Sequence, residues 1–377
     1  MNFLKQKIIE RIEAEGPISF EAFMDMCLYY PGLGYYAKES TAIGRTGDFY
    51  TSPHLHPIFG AMIGRQMEEM WRAMGMPAVF QVVEIGAGMG YLAKDMLDYV
   101  CGPGSVARGP AFSDCLKYTI IELNPRMKGR QELLLGDLKD RVNWLSGLGD
   151  LGPVTGCFFS NELIDAFPVK IVTMEEDLSE VYVTVDGGDF AEIRKPACKE
   201  AKEYLSELGV ELPRGYRTEA NLRLRSWVRE VSERLLKGFV LTIDYGYPAW
   251  DYYGEDRSRG TLLCYYRHDV NENLYDNVGE QDLTAHVNFS ALKKWGEESG
   301  LRTVGFCPQG TYLVSQGIDE VISELYGDRP DPFEISKIKG LLLPQGMGES
   351  HKVMVQYKGE GEARLKGFEV RNQAGLL

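Results

Sequence analysis

Three glycines at alternate positions, Gly86, Gly88 and Gly90, follow the acid Glu84 at the end of an apolar run over residues 79–85. A helix-like stretch, 91–100, comes next. Such a corner lets backbone N–H groups approach a ligand with no Cβ in the way. A second acid, Glu122, closes the apolar run 117–123, and Pro125 blocks its continuation. At that place an acid accepts hydrogen bonds from both hydroxyls of a ribose. A third run, 156–160, opens into Asn161, Glu162 and, three residues on, Asp165. Carboxylates hold a cationic nucleophile and take up its proton. On a tight turn this pair could face one way; acids at a helix N-terminus are the plainer alternative. The segment 279–287 contains His286, a general-base candidate because imidazole titrates near neutrality, unless it is a structural histidine. Asp48, Thr51 and Ser52, in the polar stretch 47–53, could close over a cofactor or form an ordinary loop.

These residues need a frame, and the periodicity of the chain supplies one. Strands are expected at 79–85, 117–123, 142–145 and 156–160, with helices at 91–100 and 126–135 between them, which is the rhythm of a parallel α/β sheet. The helix 219–236, the strand 238–243, the helix 289–300 and strands near 301–306 and 352–357 complete it. Residues 1–75 look helical instead: Leu4, Ile8 and Ile12 share one helical face, Ser19 caps a helix over 20–28, and an apolar helix covers about 59–74. Between about 170 and 215 the pattern changes to antiparallel strands (170–174, 179–186 and 190–194) followed by a helix, 198–208. This segment reads as an inserted, β-rich subdomain on the substrate side. The expected domains are therefore a helical region, 1–75, and an α/β domain, 76–377, carrying that insertion.

Bulk properties narrow the function. The chain has 377 residues and a net charge of −14, so a nucleic-acid backbone is not an expected partner. No apolar run approaches membrane-spanning length, and the first twelve residues are too charged for a secretory signal. The seven cysteines include no C-x-x-C pair and read as reduced thiols in a cytoplasm. Of the five histidines only His54 and His56 are close together, so no metal site is expected.

The spacing of the glycines bears on the cofactor. A dinucleotide-binding turn is G-x-G-x-x-G, but here Tyr91 takes the place of the third glycine. The form E-x-G-x-G-x-G resembles motif I of the Rossmann-like S-adenosylmethionine (SAM) methyltransferases. In that family Glu84 would sit near the methionine end of the cofactor, and Asn161–Glu162 would end the fourth strand, facing the transferred methyl group.

Six motifs extend the resemblance. Gly-Asp-Phe-x-Thr-Ser-Pro (47–53), Glu-Ile-Gly-x-Gly-x-Gly (84–90), Asn-Glu-x-x-Asp-Ala-x-Pro-Val (161–169), Asp-Tyr-Gly (244–246), Gly-Glu-Gln-Asp-Leu-Thr-Ala-His-Val-x-Phe (279–289) and Gln-Gly-Met-Gly-Glu-x-x-Lys-Val (345–353) occur in order. Together they are similar to the MidA family of SAM-dependent methyltransferases, whose mitochondrial members methylate an arginine on a respiratory complex I subunit. The chain departs from the family at 54–56, His-Leu-His, and at Ala87 and Met89. The resemblance implies a Rossmann-like methyltransferase fold, SAM as cofactor and a protein substrate presenting an arginine. It also implies that Glu162 and Asp165 hold the guanidinium. A non-catalytic SAM-binding assembly factor and an NAD(P)-dependent oxidoreductase are the alternatives. The methyl acceptor and the oligomeric state stay open.

Overall fold

In the computed structural model, all of strand Phe80–Ile85 except Gln81 is buried, as is all of Leu116–Ile121 except the exposed Lys117. Continuous burial of this kind marks strands of a parallel sheet covered on both faces. The structure describes residues 2–38, 56–102, 111–267, 269–327, 329 and 331–377. They form two compact units, each considered by itself below. One is built from described residues within Met1–Phe49, Ile164–Trp227 and Tyr247–Leu292; the other from those within Tyr50–Leu163, Val228–Gly246 and Lys293–Leu377.

The second unit is organised by one sheet. Its strands lie in the order Arg302–Pro308, His351–Lys358, Leu235–Tyr247, Val154–Asn161, Phe80–Ile85, Leu116–Ile121, Val142–Leu145. Neighbours from Leu235–Tyr247 to Val142–Leu145 are parallel. His351–Lys358 runs antiparallel to both of its neighbours. From Phe80–Ile85 the chain adds strands on one side, then returns to place Val154–Asn161 on the other. That reversal opens a crevice at the carboxyl ends of the two strands, where α/β sheets of this kind bind ligands. The topology is that of a Rossmann-like methyltransferase fold.

Most of the anticipated elements recur with ends moved by one to four residues. Helix Pro125–Leu135 starts where its sequence dictates: Asn124 accepts the Arg126 N–H, and proline occupies the first turn, where no N–H is needed. Three helices between the last two strands, Gln309–Ser315, Ile318–Tyr326 and Pro332–Leu342, were not expected. They bring Tyr312, Leu313, Val321 and Leu341 into the core of the sheet.

The expected boundary at residue 75 is also displaced. Helix Ile58–Ala73 belongs with the sheet, where it packs on helix Tyr91–Cys101. The approach is close enough that a Cβ on Gly60 would lie 2.5 Å from the Cβ of Asp95. Small residues on an apolar face allow that contact; a larger side chain there would force the helices apart.

In the first unit, helices Phe3–Glu15 and Phe20–Tyr29 join a sheet ordered Ile18–Ser19, Leu178–Asp186, Lys170–Met174, Arg217–Ala220, with Asp189–Pro196 paired to Leu178–Asp186. Leu4, Ile8, Ile12, Phe20, Phe23, Val181 and Val183 share its core. A second, smaller sheet is ordered Asp269–Asn271, Leu263–Tyr266, Asp282–Thr284. The inserted strands thus share a compact unit with the N-terminal helices and with a later segment, because their apolar faces are completed by both.

Candidate active site

The glycine turn adopts backbone angles that side chains resist. Gly86, Gly88 and Gly90 have φ of 74°, 53° and 88°, and Gly90 leads directly into helix Tyr91–Cys101. Their surroundings differ. A Cβ on Gly86 would lie 2.8 Å from Leu163 Cδ1, and one on Gly90 would lie 3.2 Å from Gln131 Cγ. At Gly88 a Cβ would meet no atom of the described residues within 4 Å. Gly86 and Gly90 are thus shaped by the protein, and Gly88 opens onto space a cofactor can enter.

Glu84 lies beneath this turn, 3 % exposed, with Oε2 accepting the Tyr118 hydroxyl at 2.7 Å. Burial pushes its carboxyl up to about 7, against the pull of the Tyr118 hydrogen bond. Glu122 follows strand Leu116–Ile121 and is half-buried. Its Oε1 accepts the Asn124 N–H at 2.8 Å, and its Oε2 accepts Gln131 Nε2 at 2.9 Å. Burial raises this carboxyl and the two hydrogen bonds lower it. A carboxylate has about four lone-pair sites, so two such bonds leave acceptor capacity for the hydroxyls of a ribose.

Gln131 is the member of the site that the sequence concealed. Fully buried, it donates to the Gly88 carbonyl at 2.8 Å as well as to Glu122, and it accepts Trp144 Nε1–H at 2.9 Å. One amide therefore ties the glycine turn to the acid of the next strand and to the strand beyond. Its helix reads as a mostly polar surface helix, with Met127, Gln131 and Leu135 the buried positions. The i, i+4 spacing of these three was the available signal.

Strand Val154–Asn161 ends in a strained turn. Glu162 has φ of 50°, a left-handed conformation uncommon for a residue with a side chain. Two bonds from the neighbouring strand hold it there: the Glu162 N–H donates to the Ile243 carbonyl at 2.8 Å, and the Leu163 N–H donates to Asp244 Oδ2 at 3.2 Å. Asp244, of the Asp-Tyr-Gly motif, is completely buried and also accepts the Tyr245 N–H at 2.9 Å. Asn161 Nδ2 donates to Glu162 Oε1 at 3.2 Å, and Asn161 Oδ1 is buried without a hydrogen-bond partner among the described residues. Leu163 meets Gly86, so this turn adjoins the glycine turn.

Asp165 and His286 belong to the other unit. The chain leaves the sheet after Leu163, and Asp165 joins the segment around His286, where its carbonyl accepts the Ala285 N–H at 2.9 Å. The His286 ring packs on the Tyr247 ring at 5.3 Å, and the backbone N–H of His286 donates to Thr261 Oγ1 at 3.1 Å. Thr261 in turn donates to the buried Glu219, which also accepts the Tyr252 hydroxyl. His286 is thereby built into a polar core of that unit. Asp48, Thr51, Ser52 and His54 lie outside the described residues. No group of three or more His, Cys, Asp or Glu able to hold a metal occurs among the described residues.

A cradle open at Gly88, an acid with spare acceptor sites at Glu122 and a buried acceptor at Asn161 suit the hydroxyls and ammonium of SAM. Residues 62–307 match the family model described as "Putative S-adenosyl-L-methionine-dependent methyltransferase". The chain belongs to this family. A crystal structure from Burkholderia thailandensis, bound to S-adenosyl-homocysteine, is 30 % identical over 100 % of this chain and 96 % of that one, with a TM-score of 0.87. The mouse mitochondrial protein arginine methyltransferase NDUFAF7 is 27 % identical over 91 % of this chain and 81 % of its own length. Its Drosophila melanogaster homologue is 28 % identical over 97 % and 87 %. The MidA-like membership read from the motifs therefore holds, and SAM is the cofactor of this methyltransferase.

Proposed function

We propose that this chain methylates an arginine side chain of a protein substrate. The observation that carries the reading is Glu162: an acid held in a left-handed turn, against the glycine loop, at the carboxyl edge of the sheet. The names of the mouse and Drosophila relatives support it, and the family resemblance makes a respiratory complex I subunit the first acceptor to test.

When bound, SAM supplies a methyl group on a sulfonium that a nucleophile displaces in line. Gly88 and Glu122 would hold the cofactor, with Asn161 accepting from its ammonium group. Glu162 has the harder task. A guanidinium is fully protonated, and its delocalised charge makes it a poor nucleophile. A carboxylate hydrogen-bonded to it draws the charge away from the reacting nitrogen and accepts the proton which that nitrogen loses.

Two proteomes, from cells with and without this gene, should differ by arginine methyl marks. Cells carrying Glu162→Gln should lack the same marks while the purified variant still binds SAM. Restored marks in those cells would refute the role given to Glu162. Restored growth or assembly without the marks would favour a SAM-binding assembly factor.

A further inference from the structure

We infer that His351 is the positioning residue for the Glu162 carboxylate, an inference that rests on the role proposed above for Glu162. Strand His351–Lys358 is antiparallel to its neighbours, so its first residue lies at the edge where the parallel strands end. His351 is paired in register with Tyr245, one residue beyond Asp244.

Its side chain is 7 % exposed and that of Glu162 is 3 % exposed, with Nε2 and Oε1 3.6 Å apart. A carboxylate so buried needs polar neighbours. Asn161 Nδ2 and His351 Nε2 both approach Oε1. The Ser350 hydroxyl lies 3.1 Å from Nδ1, and a hydrogen bond donated there leaves the ring proton on Nε2, toward Glu162. Tyr245 meets the imidazole edge-on at 5.6 Å and restricts its plane. The adjacent cation, Lys352 Nζ, is engaged by the Glu349 carbonyl. Backbone bonds thus fix where the Glu162 turn sits, and the asparagine and histidine fix where its carboxylate points.

The test uses the full chain, tritiated SAM, and a protein extract from cells lacking the gene as acceptor. His351→Phe keeps the ring packing and loses both nitrogens; His351→Gln restores a donor near the Nε2 position. His351→Phe should lower turnover at saturating SAM at least ten-fold, leaving the KM for SAM and the calorimetric affinity for S-adenosylhomocysteine within two-fold. His351→Gln should recover most of that loss. Thermal unfolding of the wild type, His351→Phe, Glu162→Gln and the double variant should show that His351→Phe costs no further stability once Glu162 is Gln. Wild-type turnover in His351→Phe, beside an inactive Glu162→Gln, would overturn this inference alone. Equal turnover losses in His351→Phe and His351→Gln, with thermal destabilisation additive with that of Glu162→Gln, would overturn it too and leave a packing role. Wild-type turnover in Glu162→Gln would instead overturn the reading of Glu162.

Discussion

Replacing Gln131 by leucine removes one amide and orphans three partners: the Gly88 carbonyl, Glu122 Oε2 and the Trp144 N–H. Two of the lost bonds join neutral groups, each worth about 1 kcal/mol net, and the third joins a carboxylate, at about 1.5–3 kcal/mol. Water can reach the half-buried Glu122 and recover part of this, so a stability loss of about 3 kcal/mol is expected. The consequence for the cofactor is separate. Gln131 sets the spacing between the glycine turn and the Glu122 carboxylate, the group proposed to accept from the ribose. Misplacing one charge-assisted bond to SAM costs about 1.4–2.8 kcal/mol, or a 10- to 100-fold weaker Kd. Titration calorimetry with SAM and S-adenosylhomocysteine, on a variant whose circular dichroism shows it folded, reads that change. Gln131→Glu should be worse, because its carboxylate would face Glu122 and like charges so close cannot both ionise. A folded Gln131→Leu with affinity within two-fold of wild type would refute the claim that this residue organises the cofactor site.

Other consequences are checked in the same way. Glu122→Ala should weaken SAM binding at least ten-fold, and Gly88→Val should abolish it, since a branched side chain at φ 53° is strained and projects into the opening; unchanged calorimetric affinity in both would contradict the placement of the cofactor. The raised carboxyl of Glu84 makes stability depend on pH. The fold favours the neutral form, so its contribution, on the order of 3 kcal/mol, is whole below the ordinary glutamate pKa and is lost as pH rises through about 7. Urea midpoints between pH 5 and 8 should therefore fall in the wild type more steeply than in Glu84→Gln; parallel curves would exclude it.

How much of this was readable in the chain depended on the range of the interactions. The glycine turn, the acids Glu84 and Glu122 and the Ser19 cap could be read because each is written within a few residues of an apolar run. Glu162 could be located at a strand end, but not its left-handed turn, which two bonds from a strand some eighty residues away impose. His351 stood in the two unspecified positions of the last motif. Only the antiparallel register of the final strand brings it to Glu162. Helix Ile58–Ala73 was legible as an apolar helix, while its membership in the sheet unit was not, because that is decided by its contact with Tyr91–Cys101.

The most direct test of the account is to incubate the purified chain with methyl-deuterated SAM and protein extract from cells lacking the gene, then map the heavy methyl groups by mass spectrometry. The account predicts heavy methyl on an arginine of a protein, present with the wild type and absent with Glu162→Gln. Heavy methyl confined to another residue type or to a small molecule would contradict the arginine acceptor, and no transfer to any acceptor would contradict the proposed chemistry itself.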